Sequence, residues 1–408
     1  MLNKIKDNYF ISYIYLYIFF MPWNLWNGQM GILTGILLIW WLIVGNKKGY
    51  FLKIKDIILF KPLLILLVFL VYTYLSLFWT NNISAAFEET FKYYKYYWIL
   101  IPILISSVNS KEAKNGIFIF ILSIGFYSIF SLLIFTNIIS IPFSDSINPR
   151  GILAYAIVSP YMAIGFLSSL YIIYYSKIKY IKILFIIIAI TCLIALFINR
   201  GRAGQVAFMI TSFILLYHYR KYFFNLKNII VLLLFISTLF FTLNETGKLE
   251  RFKLGFEDLQ NMENKGYSGS WAHRIYMNNA GFSILKENFL FGVGAGDHID
   301  EFIEYTKSHP SKATWLRSYH NQHMDMLVKF GLIGYFMFLC SVVVLLRSLY
   351  KIKLYYFLAL IFFSISLFDG IGDILLYMKP YNNIYMLLFI LFSIIAFNTD
   401  KNIMKQKL

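Results

Sequence analysis

Charge is what this 408-residue chain has least of: only 14% of it is Asp, Glu, Lys or Arg, against about 25% in an ordinary soluble protein. Hydrophobic residues make up 59%, which excludes a soluble globular domain and defines an integral membrane protein. Cysteine is nearly absent. Cys192 and Cys340 both stand inside apolar runs with no Cys-x-x-Cys spacing, so neither a disulfide framework nor a zinc cluster is indicated. A single long basic face is also missing. The formal charge of +17 is dispersed in short clusters between apolar runs, which argues against nucleic acid and for orientation in a bilayer. A small-residue cleavage site is lacking near the N-terminus, where Met1 to Phe20 starts basic and runs into Pro22-Trp23, so a retained first helix is expected.

What is abundant is aromatic: 20% of the chain is Phe, Trp or Tyr. Tyrosine suits the many membrane–water interfaces of a polytopic protein, although codon bias toward Ile, Lys, Asn, Phe and Tyr together accounts for it equally well.

A spanning helix needs ~20 mainly apolar residues. Runs of that order recur at 9–21, 29–45, 57–79, 94–108, 116–139, 151–175, 181–199, 203–218, 228–244, 322–346, 354–375 and 381–398. The expectation is an all-α polytopic bundle of about twelve transmembrane helices, divided into 1–244, an outer loop at 245–320 between helices nine and ten, and 321–408. With the N-terminus in the cytoplasm, alternate loops carry the lysines and arginines, among them Lys47, Lys48, Lys177, Lys179, Arg347 and Lys351. That is the positive-inside pattern, and it sets both termini in the cytoplasm and the large loop outside.

Some positive charges defy this rule. Arg200, Arg202, Arg274 and Arg317 all fall on the outer side, where an ionisable residue at a helix end is a site candidate by default. Arg200-Gly-Arg202 sits where the seventh helix emerges and could grip a diphosphate with two guanidiniums; the bland alternative is snorkelling to headgroups. Arg274 stands on an expected surface helix, Ser270 to Lys286, with Trp271, Ile275, Ala280, Phe282 and Leu285 on its apolar face. A second short helix is expected from Asp297 to Lys307. His320-Asn321-Gln-His323 opens the tenth span; imidazole is the usual general base toward a sugar hydroxyl, and the alternatives are a capping histidine or a His-x-x-His metal pair lacking a carboxylate. Gly292-Val-Gly-Ala-Gly296 looks like a phosphate loop but lacks a preceding parallel sheet, so a tight turn is expected. Asp369 and Asp373 near the end of the eleventh span suit either a proton relay or a water-facing turn.

Three stretches together resemble one family. They are His320-Asn321-Gln-His-Met-Asp-Met-Leu327-Val-Lys-Phe-Gly331-Leu-Ile-Gly334, then Arg274-Ile-Tyr-Met-Asn-Asn-Ala280 with Phe291-Gly-Val-Gly-Ala-Gly296, and Arg202-Ala-Gly-Gln-Val-Ala-Phe208. Their order resembles the O-antigen ligases and the wider group of bacterial envelope polysaccharide ligases and polymerases. His323 and Met324 depart from that pattern, where an aromatic and a leucine are usual, and Arg200 is additional.

The resemblance implies a glycosyltransferase facing the periplasm from the inner membrane. It would move a glycan from a polyprenyl diphosphate carrier to lipid A-core, with no cofactor and no metal. Arg202 and Arg274 would hold the diphosphate and His320 would activate the acceptor, with Arg200, Arg317, Asn321 and His323 assisting in binding. A polymerase acting on a lipid-linked glycan and a protein oligosaccharyltransferase use the same donor. A transporter of lipid-linked sugars is the alternative from another class; few charges away from helix ends tell against it.

Overall fold

The computed structural model describes residues 2–25, 28–218, 248–262, 264, 266–311 and 318–407. Among these residues every regular element is a helix. Seven helices are long and apolar enough to cross a membrane: Gln29–Lys48, Lys61–Phe78, Ser110–Phe135, Tyr155–Tyr175, Lys179–Ile198, Gln322–Leu349 and Lys379–Thr399. Of the other five expected spans, Tyr9–Phe20 is short, and Arg202–His218 and Lys353–Asp369 have 17 residues each. Ile83–Ser107 carries Glu88, Glu89, Lys92 and Lys95 along its first half. The run at 228–244 lies outside the described residues. The protein is thus an all-α, multi-pass membrane bundle.

The helix Lys379–Lys407 is its hub. Tyr381 through Ala396 is buried on every side, as expected of a helix that is apolar all round. It packs against Ser110–Phe135, Ile83–Ser107 and Gln322–Leu349. Two buried asparagines stand near its start: Tyr97 Oη donates to Asn382 Oδ1 at 2.7 Å and Asn382 Nδ2 donates to Tyr93 O at 2.9 Å, whereas Asn383 Nδ2 has no hydrogen-bond partner among the described residues. An unpaired amide at that depth would cost about 1–3 kcal/mol.

Two short helices were not expected. Tyr50–Ile58 follows Lys48 as a separate amphipathic turn, and the third span therefore begins at Lys61 rather than 57. Lys248–Gln260 precedes the expected surface helix. The segment continues with Ser270–Glu287 and His298–Ser308, close to the expected bounds. The buried stripe of Ser270–Glu287 differs from the reading of the sequence. Ala272, Tyr276, Met277, Ala280, Gly281 and Ile284 face inward, while Phe282 is 58% exposed. The reason is the partner. This helix packs on Tyr319 and Met324, and the small core they share includes Phe302, Val293 and Val328.

Gln322–Leu349 is not one straight helix. Gly331 interrupts it with φ 62° and ψ −171°, a conformation that L side chains rarely adopt, and a Cβ there would lie 2.2 Å from Leu290 O. The break frees backbone groups that lipid cannot satisfy. The glycine-rich turn satisfies them. Val293 N donates to Val328 O at 2.8 Å and Gly294 N to Lys329 O at 3.0 Å, while Leu332 N and Ile333 N donate to Phe289 O and Leu290 O. The turn expected from the sequence is there, and its amides are spent on the helix break rather than offered to a phosphate.

Candidate functional site: a polar cluster around the Asp369–Asp373 turn

Lys353–Asp369 ends in the sequence Phe-Asp-Gly-Ile-Gly-Asp, and the turn that follows gathers the residues singled out above. Gln322 fixes this turn to the helix that carries His320. Its backbone N donates to Gly370 O at 2.7 Å and to Asp373 O at 3.1 Å, and its Oε1 accepts from Leu376 N at 2.8 Å. Gly372 lies against Arg202–His218, with a Cβ built on Gly372 3.1 Å from Ala203 Cβ. Arg202 therefore opens its helix beside the same turn. On the other side of Arg202, Ser159 Oγ donates to Gly201 O at 2.7 Å and holds the helix start.

His320 stands two residues before its helix in a left-handed conformation, φ 43°, costly for a residue with a side chain. Asn321 makes that geometry hold. Its Oδ1 caps the helix, accepting from His323 N at 3.0 Å and Met324 N at 3.2 Å. Its Nδ2 donates to Asn278 Oδ1 at 2.8 Å. Asn278 in turn donates to Arg274 O, one turn back on the same helix. The cap thus couples the His320 backbone to the helix bearing Arg274.

Two carboxylates complete the cluster. Asp373 Oδ1 is 3.8 Å from His320 Nδ1, and the His320 side chain is 41% exposed. Asp369 is fully buried, neither of its oxygens has a hydrogen-bond partner among the described residues, and it interacts electrostatically with Asp373 and Arg274. A buried, unpartnered carboxylate beside a guanidinium marks a place where polar groups are held ready rather than used up.

His323 is separate from this group. Its Nε2 faces Leu367 O at 2.8 Å and its Nδ1 faces Tyr335 Oη at 2.8 Å. The carbonyl can only accept, so Nε2 carries the proton and Tyr335 donates to Nδ1. Both ring nitrogens are spent on the bundle, and His320, outside the helix, does not share a helical face with it. Arg200, half-buried, ends the preceding segment beside Gly201. Arg317 lies outside the described residues. Asn278 and Gln322 are the members that sequence reasoning did not single out; Asp369 and Asp373 were read there as a proton relay or a water-facing turn, without His320 as a partner.

A second polar cluster lies deeper. Lys329 Nζ is 2.9 Å from Glu89 Oε1 and 3.2 Å from Asp325 Oδ2, and it sits 3.5 Å over the Tyr377 ring. Next to it His298 Nδ1 donates to Ala295 O at 2.9 Å, with Nε2 4.0 Å from Glu89. Burial, and then the Lys329 charge, hold His298 well below the usual imidazole range. Asp297 accepts four hydrogen bonds from Thr80, Asn81 and Asn82, tying the segment before His298–Ser308 to the start of Ile83–Ser107.

Fold and site together define a polytopic membrane protein with a cationic and imidazole-bearing cluster at one end of its bundle. Residues 187–339 match the model of the O-antigen ligase family. That stretch contains Arg200, Arg202, Arg274, Arg317, His320, Asn321 and His323, and the match supports a function of the ligase or polymerase type. No curated protein matches the chain.

Proposed function

We propose that the protein is a membrane glycosyltransferase that moves a glycan from a polyprenyl diphosphate to lipid A-core at the periplasmic face of the inner membrane, with both termini in the cytoplasm. One observation carries this reading: His320 with Asp373, and Arg274 with Asp369, converge on a single turn against which the Arg202 helix also packs. The chemistry needs little more. A diphosphate leaving group supplies the driving force, so the protein has to orient the reactants, accept one proton and neutralise developing charge.

In this reading Arg202 and Arg274 hold the diphosphate with the planar donor fork of their guanidiniums, and Arg200 and Arg317 assist. The unpaired nitrogen of His320 takes the proton of the acceptor hydroxyl, whose oxygen attacks the anomeric carbon as the glycosidic oxygen leaves with the diphosphate. Direct displacement inverts that centre. Asp373, close to Nδ1, orients the ring so that the other nitrogen faces the acceptor. Asp369 adds an electrostatic interaction with Arg274 at the same turn. No step here calls for a metal, and full turnover in excess chelator is the expected outcome.

The glycan phenotype of a deletion strain tests the reaction. Polymer accumulating on the polyprenyl diphosphate identifies a ligase. Single repeat units on the carrier would make the protein a polymerase, and bare glycoproteins with intact lipopolysaccharide would make the acceptor a protein. Unchanged glycans of all three kinds would end the proposal.

A further inference from the structure

The connector between two membrane-crossing helices, Gln29–Lys48 and Lys61–Phe78, is itself a helix, Tyr50–Ile58. Gly49 makes the corner. It takes the left-handed conformation, φ 65°, and its N–H returns to the carbonyls of Gly45 and Asn46, closing the first helix before the second starts. Phe51 then folds back. Its ring meets Trp41 edge-on at 4.8 Å and covers Gly45, where a Cβ would lie 2.9 Å from Phe51 Cζ. Tyr50 and Ile57 are buried, Tyr50 with its ring 6.1 Å from that of Phe10, and the connector packs on Ile83–Ser107. One side of it is thus pinned to the bundle.

The other side has no protein over it. Leu52 is 74% exposed, and Leu59, just past the helix end, is 69% exposed; seven residues apart, they share one face two turns along. Lysines surround them. Lys47, Lys53, Lys55 and Lys61 are exposed, and with Lys48 they make five cations within fifteen residues, against one acid, Asp56. Lys53 Nζ sits 5.2 Å over the Tyr50 ring, which keeps that ammonium beside the bundle.

Orientation by the positive-inside rule accounts for the lysines but not for the leucines. A helix lying in a bilayer interface accounts for both: apolar side chains enter the boundary of the acyl chains while lysine stems reach out to phosphates. A protein partner fits less well, because a stable interface buries about 800 Å² on each side, more than two leucines and a few lysine stems offer.

We propose that Tyr50–Ile58 is an interfacial helix that binds anionic phospholipid headgroups of the leaflet it lies in, the cytoplasmic one in the orientation given above. Leu52 and Leu59 enter the acyl boundary, and Lys47, Lys53, Lys55 and Lys61 pair with the phosphates. Lys61–Phe78 leads away from this helix and comes level with the kink at Gly331 only three turns on, where Tyr72 Oη donates to Phe330 O at 3.1 Å. The lipid bound here is therefore neither glycan donor nor acceptor.

The test needs no glycan transfer, so it stands apart from the proposed function. Purified full-length protein is placed in phosphatidylcholine nanodiscs holding a trace of phosphatidylglycerol with a diazirine on its headgroup or, in parallel, of phosphatidylcholine labelled in the same way. Crosslinked peptides are mapped by mass spectrometry. The expected result is labelling of residues 47–61 about fivefold stronger with the phosphatidylglycerol probe, and competed by unlabelled phosphatidylglycerol. Lys53→Gln with Lys55→Gln should remove this excess, and Lys53→Arg with Lys55→Arg should keep it. Lys177→Gln with Lys179→Gln takes two cations from another connector on the same side and should leave it unchanged. Equal labelling by the two probes, or none at 47–61, overturns the proposal. Equal loss in the Lys177 and Lys179 control reduces the attraction to net charge and overturns it as well. The comparison of the two probes on the wild type requires no substitution, so a variant that melts early leaves the test intact.

Discussion

Two polar clusters sit within a few turns of each other on the helix that begins at Gln322, and they are built on opposite plans. Around Lys329 the charges are closed: Glu89 and Asp325 flank the ammonium, Tyr377 covers it, and Asp297 is saturated by four donors. Around Asp369–Asp373 they are open. Among the described residues both oxygens of Asp369 lack hydrogen-bond partners, and His320 is 41% exposed with a nitrogen left over. A closed cluster holds elements together, because removing one partner strands a buried charge. An open one keeps capacity for something that arrives later. On the proposed function, the difference would separate architecture from chemistry among residues that look alike in sequence.

The sharpest way to break this contrast is to remove the open cluster's reactive groups. His320→Ala is expected to lower kcat for glycan transfer by about 10²–10⁴-fold and Arg274→Ala by about 10²–10³-fold, with purified protein melting as the wild type does. Full turnover by the His320 variant on purified lipid substrates would remove it as the base. Arg274→Lys should recover only part of the loss, since an ammonium cannot reproduce the guanidinium fork.

Lys329→Met should invert the pattern. Stability is expected to drop by about 3–5 kcal/mol, seen as low yield of folded protein, while turnover per folded molecule stays within a few-fold of the wild type. Adding Glu89→Gln should restore part of the yield. A stable Lys329 variant with abolished turnover would move Lys329 into the chemistry.

Asn321→Ala removes the helix cap and the link to Asn278, and about 1 kcal/mol of stability should go with it. Transfer should fall about tenfold through kcat and not KM, because the His320 backbone loses its support. Loss of stability with unchanged kcat would make Asn321 a cap and nothing more.

The smallest effect is in pH. His298 is held neutral in the folded protein, its affinity for a proton depressed below the ordinary value of 6.5, whereas the unfolded chain protonates near that value. As pH falls below about 6.5 the unfolded state binds the extra proton, so stability declines toward acid and is complete above it. The melting temperature between about pH 7 and 5 should therefore fall less steeply in His298→Asn, whose amide can still donate to Ala295 O. Equal slopes would show that His298 does not contribute.

Much of the site was legible because a membrane makes exceptions conspicuous. Arg202, Arg274 and His320 stood out as polar residues at helix edges, on the side where orientation does not call for positive charge. Asp373 did not stand out as the partner of His320. Nothing local distinguishes a carboxylate that meets an imidazole on another helix from one that faces water. His323, adjacent in sequence and chemically identical to His320, is turned away by Tyr335 and Leu367, a distinction that depends on where the break at Gly331 aims the rest of the helix. The glycine run was legible as a turn but not as the mate of that break, because nothing local shows that its amides bond the carbonyls of Val328 and Lys329.

The sequence by itself determined that the chain is a helical membrane bundle, since apolar length and the intolerance of lipid for unpaired backbone leave no other all-internal solution. It also determined which cations are out of place and which residue types could do acid–base work. The tertiary structure alone decided which of these residues meet. It set His320 near Asp373, brought Asp369 within electrostatic reach of Arg274, spent His323 on the bundle, and laid an apolar cleft beside the turn they share. Those outcomes depend on contacts between helices far apart in the chain, which packing fixes and local pattern does not carry.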